Sequence, residues 1–179
     1  MAKKIVLAAL VMAIAAGAIS AQENNKAAAL DLFTLTKGFV AADSDSKTFL
    51  ICLAASYEQL VAPHFSAGGN LDMYFGKVYD TGAFYMGITG EGRYYPMTEN
   101  FEKFFMGTTL GFNVFSVDGN TNHGGFLGLT ASLKAGYKLL FTGKSLYVEP
   151  SMAYVLSKAG IVPVTPLGWQ GGLRMGIVF

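Results

Sequence analysis

Along most of this chain apolar residues alternate with small or polar ones at a period of two, the mark of extended strands whose two faces meet different surroundings. The pattern is clearest in Gly125 to Phe141. There Leu127, Leu129, Ala131, Leu133, Ala135, Tyr137 and Leu139 oppose Gly128, Thr130, Ser132, Lys134, Gly136 and Lys138. Seven further segments follow the same rule: Ala28 to Thr36, Thr48 to Glu58, His64 to Gly76, Ala83 to Tyr95, Phe101 to Phe115, Ser145 to Leu156 and Gly168 to Phe179. The first alternates least clearly. The connections are expected to be alternately long and short. Polar loops run over Lys37–Lys47, Lys77–Gly82, Ser116–Gly124 and Ser157–Leu167, and tight turns lie around Leu60–Pro63, Pro96–Asn100 and Thr142–Lys144.

An even number of strands about ten residues long, with long connections at one end and short ones at the other, predicts an all-β, eight-stranded antiparallel up-and-down transmembrane β-barrel. Aromatics on the apolar face sort toward the two strand ends. Tyr57, Phe65, Tyr94, Phe104 and Tyr137 lie near the short turns, and Phe49, Phe75, Phe84, Phe112, Tyr154 and Trp169 near the long loops. Two such girdles suit two membrane–water interfaces. A soluble barrel of the lipocalin kind would share the period and bury the apolar face instead. Here the polar face has too much Gly and too little Lys and Glu for a solvated surface. Pro150 fits poorly mid-strand, since a closed barrel has no edge strand for it, and a bulge is expected there.

At 179 residues the chain holds one domain. Charged residues make up 14%, well under the share usual in soluble domains, and a net charge of +1 leaves no basic stripe for nucleic acid. Lys3 and Lys4 precede an Ala-rich apolar run from Ile5 to Ile19, too short to span a membrane as a helix and arranged like an export signal. Cleavage after Ala21 is expected, making 1–21 a signal peptide and 22–179 the barrel, with Ala16-Gly17-Ala18 as the alternative small-x-small site. No Cys near this point invites a lipid anchor. Cys52 is the single cysteine, so no intramolecular disulfide forms, and it is expected to be a small buried strand residue.

With the apolar face outward, Asp31, Glu58, Asp72, Glu91 and Glu149 fall on the inner face with Arg93, Lys103, Lys134, Lys138 and Arg174. Eight strands enclose only enough room for side chains. Charges there must pair or hold water, because a lone buried ion costs several kcal/mol. Two readings follow: a plug of ion pairs, or a narrow polar path for water, ions or small solutes. Glu91 and Arg93, neighbours on one inner row, form the expected central pair. Inner glycines make room either for large inner side chains or for water.

Glu91-Gly92-Arg93-Tyr94-Tyr95-Pro96, Tyr147-Val148-Glu149-Pro150 and the closing Arg174-Met175-Gly176-Ile177-Val178-Phe179 resemble strand motifs of small bacterial outer-membrane barrels, the porin-like group that includes the OmpA transmembrane domain, OmpX and OmpW. The resemblance covers nearly all of the chain after the signal. It implies residence in the bacterial outer membrane, contact with its lipid, and reading of Phe179 by the barrel assembly machinery. It implies no cofactor and little about activity. Relatives of the OmpW kind are thought to pass small hydrophobic molecules; those of the OmpX kind present strands and loops. The leading expectation is a narrow porin or channel-like passage for small solutes. The rival is a structural or surface-interaction barrel with a plugged lumen, meeting a surface ligand through loops near Asp43, Asp118 and Val162.

A lipid-modifying enzyme comes third. His64-Phe65-Ser66 resembles the His-x-Ser of an outer-membrane deacylase, but it lies early in the chain, points inward, and has no evident partner acid. His123 reads as a solvated loop residue. Two separated histidines give no metal spacing. Asp43-Ser44-Asp45 and Asp118-Gly119-Asn120 lack the Glu and length of a calcium loop and read as turn chemistry. No enzyme activity and no metal site are expected.

Overall fold

The computed structural model describes residues 25–32, 49–78, 81–118, 123–141, 145–158 and 168–179. The expected signal peptide, the end of the first expected strand, and the loops around Asp43 and Val162 lie outside the described residues.

Eight strands follow one another and close on themselves: β1 (Lys26–Asp31), β2 (Phe49–Ala62), β3 (Phe65–Val78), β4 (Thr81–Tyr94), β5 (Lys103–Asp118), β6 (His123–Phe141), β7 (Leu146–Lys158) and β8 (Gly168–Val178). Every neighbouring pair is antiparallel, and β1 pairs with β8 from Ala27↔Val178 to Asp31↔Arg174. Closure removes all free edges, so the ladder satisfies the backbone without help from outside.

The register sets the tilt. Stepping straight across the ladder from Lys26 leads through Gln59, Ala67, Gly92, Thr108, Leu133 and Tyr154 to Trp169. Lys26 itself bonds across the seam to Phe179, so one circuit staggers the strands by about ten residues. Ten residues at ~3.3 Å against eight strands at ~4.8 Å tilts the strands by about 40° and gives a backbone radius of about 8 Å. Side chains fill a lumen that narrow.

The apolar face points outward, which overturns the lipocalin alternative. Leu110, Leu127 and Trp169 are 69%, 71% and 72% exposed, whereas Glu58, Asn70, Asn113 and Ser132 face in and are buried. On β3 and β4 the outward rows begin at the register pair Phe65↔Tyr94, whose rings lie 5.0 Å apart, and reach Phe75↔Phe84. Those aromatics are about ten residues apart, which at this tilt is an apolar belt about 25 Å tall.

Three local expectations change. The ladder runs past the expected polar breaks, pairing Val78 with Thr81 and Asp118 with His123. Strand pairing uses only backbone groups, so polar side chains do not end it. The β3–β4 and β5–β6 connections are therefore short, and His123 opens β6 instead of sitting in a loop. Conversely, Phe101 and Glu102 leave the strand, and residues 95–102 form the connection between β4 and β5. Pro150 makes no bulge. The β6–β7 register is the same at Gly136↔Ser151 and Leu139↔Val148, and the ladder is only interrupted between them; the shift lies at Ala131/Ser132.

Candidate functional site

Inward parity on five strands delivers seven charged side chains to one level of the lumen: Glu58 from β2, Glu91 and Arg93 from β4, Lys134 and Lys138 from β6, Glu149 from β7 and Arg174 from β8. Arg93 is the hub. Its Nε donates to Glu91 Oε1 at 2.8 Å, Nη1 to Glu58 Oε2 at 3.0 Å and Glu149 Oε2 at 2.8 Å, and Nη2 to Glu149 Oε1 at 3.1 Å. The planar fork of a guanidinium suits this bidentate grip on Glu149. Lys134 donates to Glu91 at 3.1 Å and Glu149 at 3.4 Å, and Arg174 to Glu91 at 3.2 Å. Arg174 also reaches Asn70 Oδ1 at 2.9 Å, and Asn70 donates on to Thr89 at 3.0 Å.

Glu58 collects four donors. Ser66 and Tyr95 hydroxyls donate to Oε1 at 2.5 and 2.6 Å, and Lys138 and Arg93 to Oε2 at 2.6 and 3.0 Å. Every lone pair of that carboxylate is thereby used, which is what a buried ion requires.

Below the ions, toward the end of the barrel that carries the β2–β3 and β4–β5 connections, lies an aromatic layer. Tyr95, Phe101, Phe105 and Tyr147 cluster with Ala27, Ala29 and Val178. The Lys138 ammonium sits 4.8 Å from the Phe101 ring centre and 4.5 Å from that of Tyr147, and the Arg93 guanidinium 4.4 Å from that of Phe105. Cations over ring faces in a water-poor site gain more than at a surface. Inner glycines make room for these rings. A Cβ on Gly136 would lie 2.6 Å from Phe105 Cζ, and one on Gly176 2.8 Å from Tyr147 Cε1. Glu149 and Phe105 are 0% exposed and Lys138 1%. Side chains fill the lumen at this level.

Of the ten inner charges read from the sequence, these seven meet. Asp31 and Asp72 are half-buried, and register sets Asp31 opposite Arg174 across the seam. Lys103 does not join. It is exposed, with a left-handed φ of 69°, because it is where the chain re-enters the wall after the 95–102 segment, and that conformation breaks the alternation that would aim it inward. Glu91 and Arg93 do pair, but Arg93 is central in its own right. Sequence reasoning missed Ser66, Asn70, Tyr95, Phe101 and Phe105 as parts of the site. Aromatics at inner parity, Phe105 and Tyr147, were the available signal.

Ser66 does have an acid beside it, Glu58, contrary to expectation. His64 points elsewhere: its Nδ1 lies 2.9 Å from the carbonyl oxygens of Tyr95 and of Thr98, so it is the donor to both. Phe179 exchanges backbone hydrogen bonds with Lys26 at the seam. Cys52 is buried on β2. Among the described residues no group of three or more His, Cys, Asp or Glu is placed to hold a metal ion.

No family model and no curated protein matches this sequence.

Proposed function

We propose that this protein is a bacterial outer-membrane barrel with a sealed lumen, serving as a structural or surface-presenting element and not as an open passage. The observation that carries this reading is the stack of ions and rings across the lumen, closed by hydrogen bonds from five strands, inside a wall whose outer belt is apolar. A belt about 25 Å tall, bounded by aromatics, fits a hydrocarbon layer better than water. The strand segments that resemble those of small outer-membrane barrels support the same location, with lipid and the assembly machinery as partners.

Trp169 is the sole tryptophan and stands on the outer face against Tyr154, so intrinsic fluorescence tests the membrane half of the proposal. In vesicles of bromine-labelled lipid, the folded protein should show blue-shifted emission and strong quenching. Emission that stays red and unquenched refutes membrane embedding. Planar-bilayer recording tests the other half. A folded barrel is expected to be silent across voltage and pH, and discrete openings of the natural protein would refute the seal.

One observation favours a second reading, the narrow solute passage. Above the ions the inner wall mixes small residues, Ala54, Gly111, Ala153 and Gly172 among them, with Asn113 and the paired rings of Tyr74 and Tyr85. A passage in this lumen would need its turn-side closure to move.

A further inference from the structure

The wall closes at a seam, where β8 meets β1, and β5 stands opposite that seam in the ring. From β5 the strands β6, β7 and β8 run to the seam on one side, and β4, β3, β2 and β1 on the other. The seam is lightly bonded. Among the described residues β1 pairs with β8 at five positions, whereas β3 and β4 pair at fourteen. Fewer backbone bonds make the seam the place where the wall would part first, with β5 as the hinge.

The ion cluster ties the two sides together through the lumen. Lys138 of β6 donates to Glu58 of β2 at 2.6 Å, and Lys134 of β6 to Glu91 of β4 at 3.1 Å. Arg93 of β4 grips Glu149 of β7 at 2.8 and 3.1 Å. Arg174 of β8 donates to Glu91 of β4 at 3.2 Å and to Asn70 of β3 at 2.9 Å. Each of β6, β7 and β8 thus reaches a strand beyond the hinge. Two of these bonds, Lys138 to Glu58 and Arg174 to Glu91, join strands four places apart in the ring of eight, directly opposite each other. In an open sheet, four steps of ~4.8 Å would hold those backbones about 19 Å apart. That is too far for a lysine or an arginine to reach a glutamate. Neither bond exists until the sheet has curled round and closed.

We infer that the cluster is a closure lock: its bonds form last, after the rate-limiting step of folding, and then hold the seam shut from inside. Parting β8 from β1 about the hinge pulls apart buried ionic partners, and a buried ion stripped of its partner is costly. Interactions absent from the transition state slow unfolding and leave the folding rate alone. The lock does not rest on the sealed-lumen reading. It follows from which strands the bonds join, whether or not solutes pass beside them.

Folding and unfolding rates of the full chain in detergent, followed by Trp169 emission across urea concentrations, test the lock without any need for membrane embedding. Arg174→Met removes the ties from β8 to Glu91 and Asn70. It should speed unfolding at least tenfold and change the folding rate less than threefold. A smaller rise in the unfolding rate overturns the lock, as does a folding rate that falls threefold or more. Should that variant fail to fold, the natural chain supplies a second readout. Despite its five pairs, the ladder between β1 and β8 should protect its amides from hydrogen exchange to within tenfold of the ladder between β3 and β4. Seam amides that exchange more than tenfold faster overturn the proposal.

Discussion

Replacing Arg93 with Met separates two views of the ionic core. Charge counting makes the change benign: the seven clustered side chains hold four cations and three carboxylates, so removing one cation approaches neutrality. Geometry makes it severe. Glu58 would keep Lys138 at 2.6 Å, and Glu91 would keep Lys134 at 3.1 Å and Arg174 at 3.2 Å. Glu149 would lose both of its short bonds and keep only Lys134 at 3.4 Å, Lys138 at 3.6 Å and Arg174 at 3.8 Å. The loss concentrates on one fully buried carboxylate, and stripping the partner from such an ion costs about 3–5 kcal/mol. Urea unfolding of the refolded protein, followed by Trp169 emission, should show a fall of that size with an unchanged m-value. Adding Glu149→Gln should recover a large part of it, because the stranded charge is then gone. Arg93→Lys keeps the charge but not the fork, and should cost roughly half as much. A loss below about 1 kcal/mol for Arg93→Met would refute the reasoning, since it would mean that water or relaxation solvates Glu149 as well as the guanidinium does.

Glycines on the two faces should respond oppositely. A Cβ on Gly136 would meet Phe105 at 2.6 Å and the Pro150 carbonyl oxygen at 2.8 Å, whereas one on Gly92 would meet nothing within 4 Å. Gly136→Ala should therefore destabilise by about 1–3 kcal/mol and Gly92→Ala be neutral or stabilise by up to about 1 kcal/mol, measured side by side by urea unfolding. Leu110, outward in the middle of the belt, should lose about 2–4 kcal/mol on Leu110→Arg when folding is measured in bilayers, and a neutral result there would count against a lipid-facing surface.

Much of the wall was legible in the sequence because a strand's faces are set by a local rule. Side chains alternate whatever the partner, so Leu127 and Leu129 could be placed outside, and Lys134 and Lys138 inside, from their own segment alone. The even strand count and the buried Cys52 follow from the same rule. Where the alternation stops carries less information. Lys77, Val78, Thr81 and Gly82 look like a loop yet pair across the ladder, because backbone groups pair whatever side chains they bear. Phe101 looks like the start of a strand, yet it turns into the lumen, where an aromatic layer lies between the segment and the wall.

What tertiary structure alone decided was who meets whom across the lumen. Parity puts ten charges on the inner face, but their height there depends on the stagger accumulated around the closed circuit, and no single segment encodes it. That stagger brings Arg93 beside Glu149 and Glu58, and Arg174 beside Glu91, partners remote in sequence. It also brings Phe105 and Tyr147, whose inner position was a matter of parity, under the cations of other strands. The sequence by itself determined a barrel wall with an apolar outside and a charged inside. Whether that inside is an open path or a closed one depends on contacts between strands that only the closed circuit aligns.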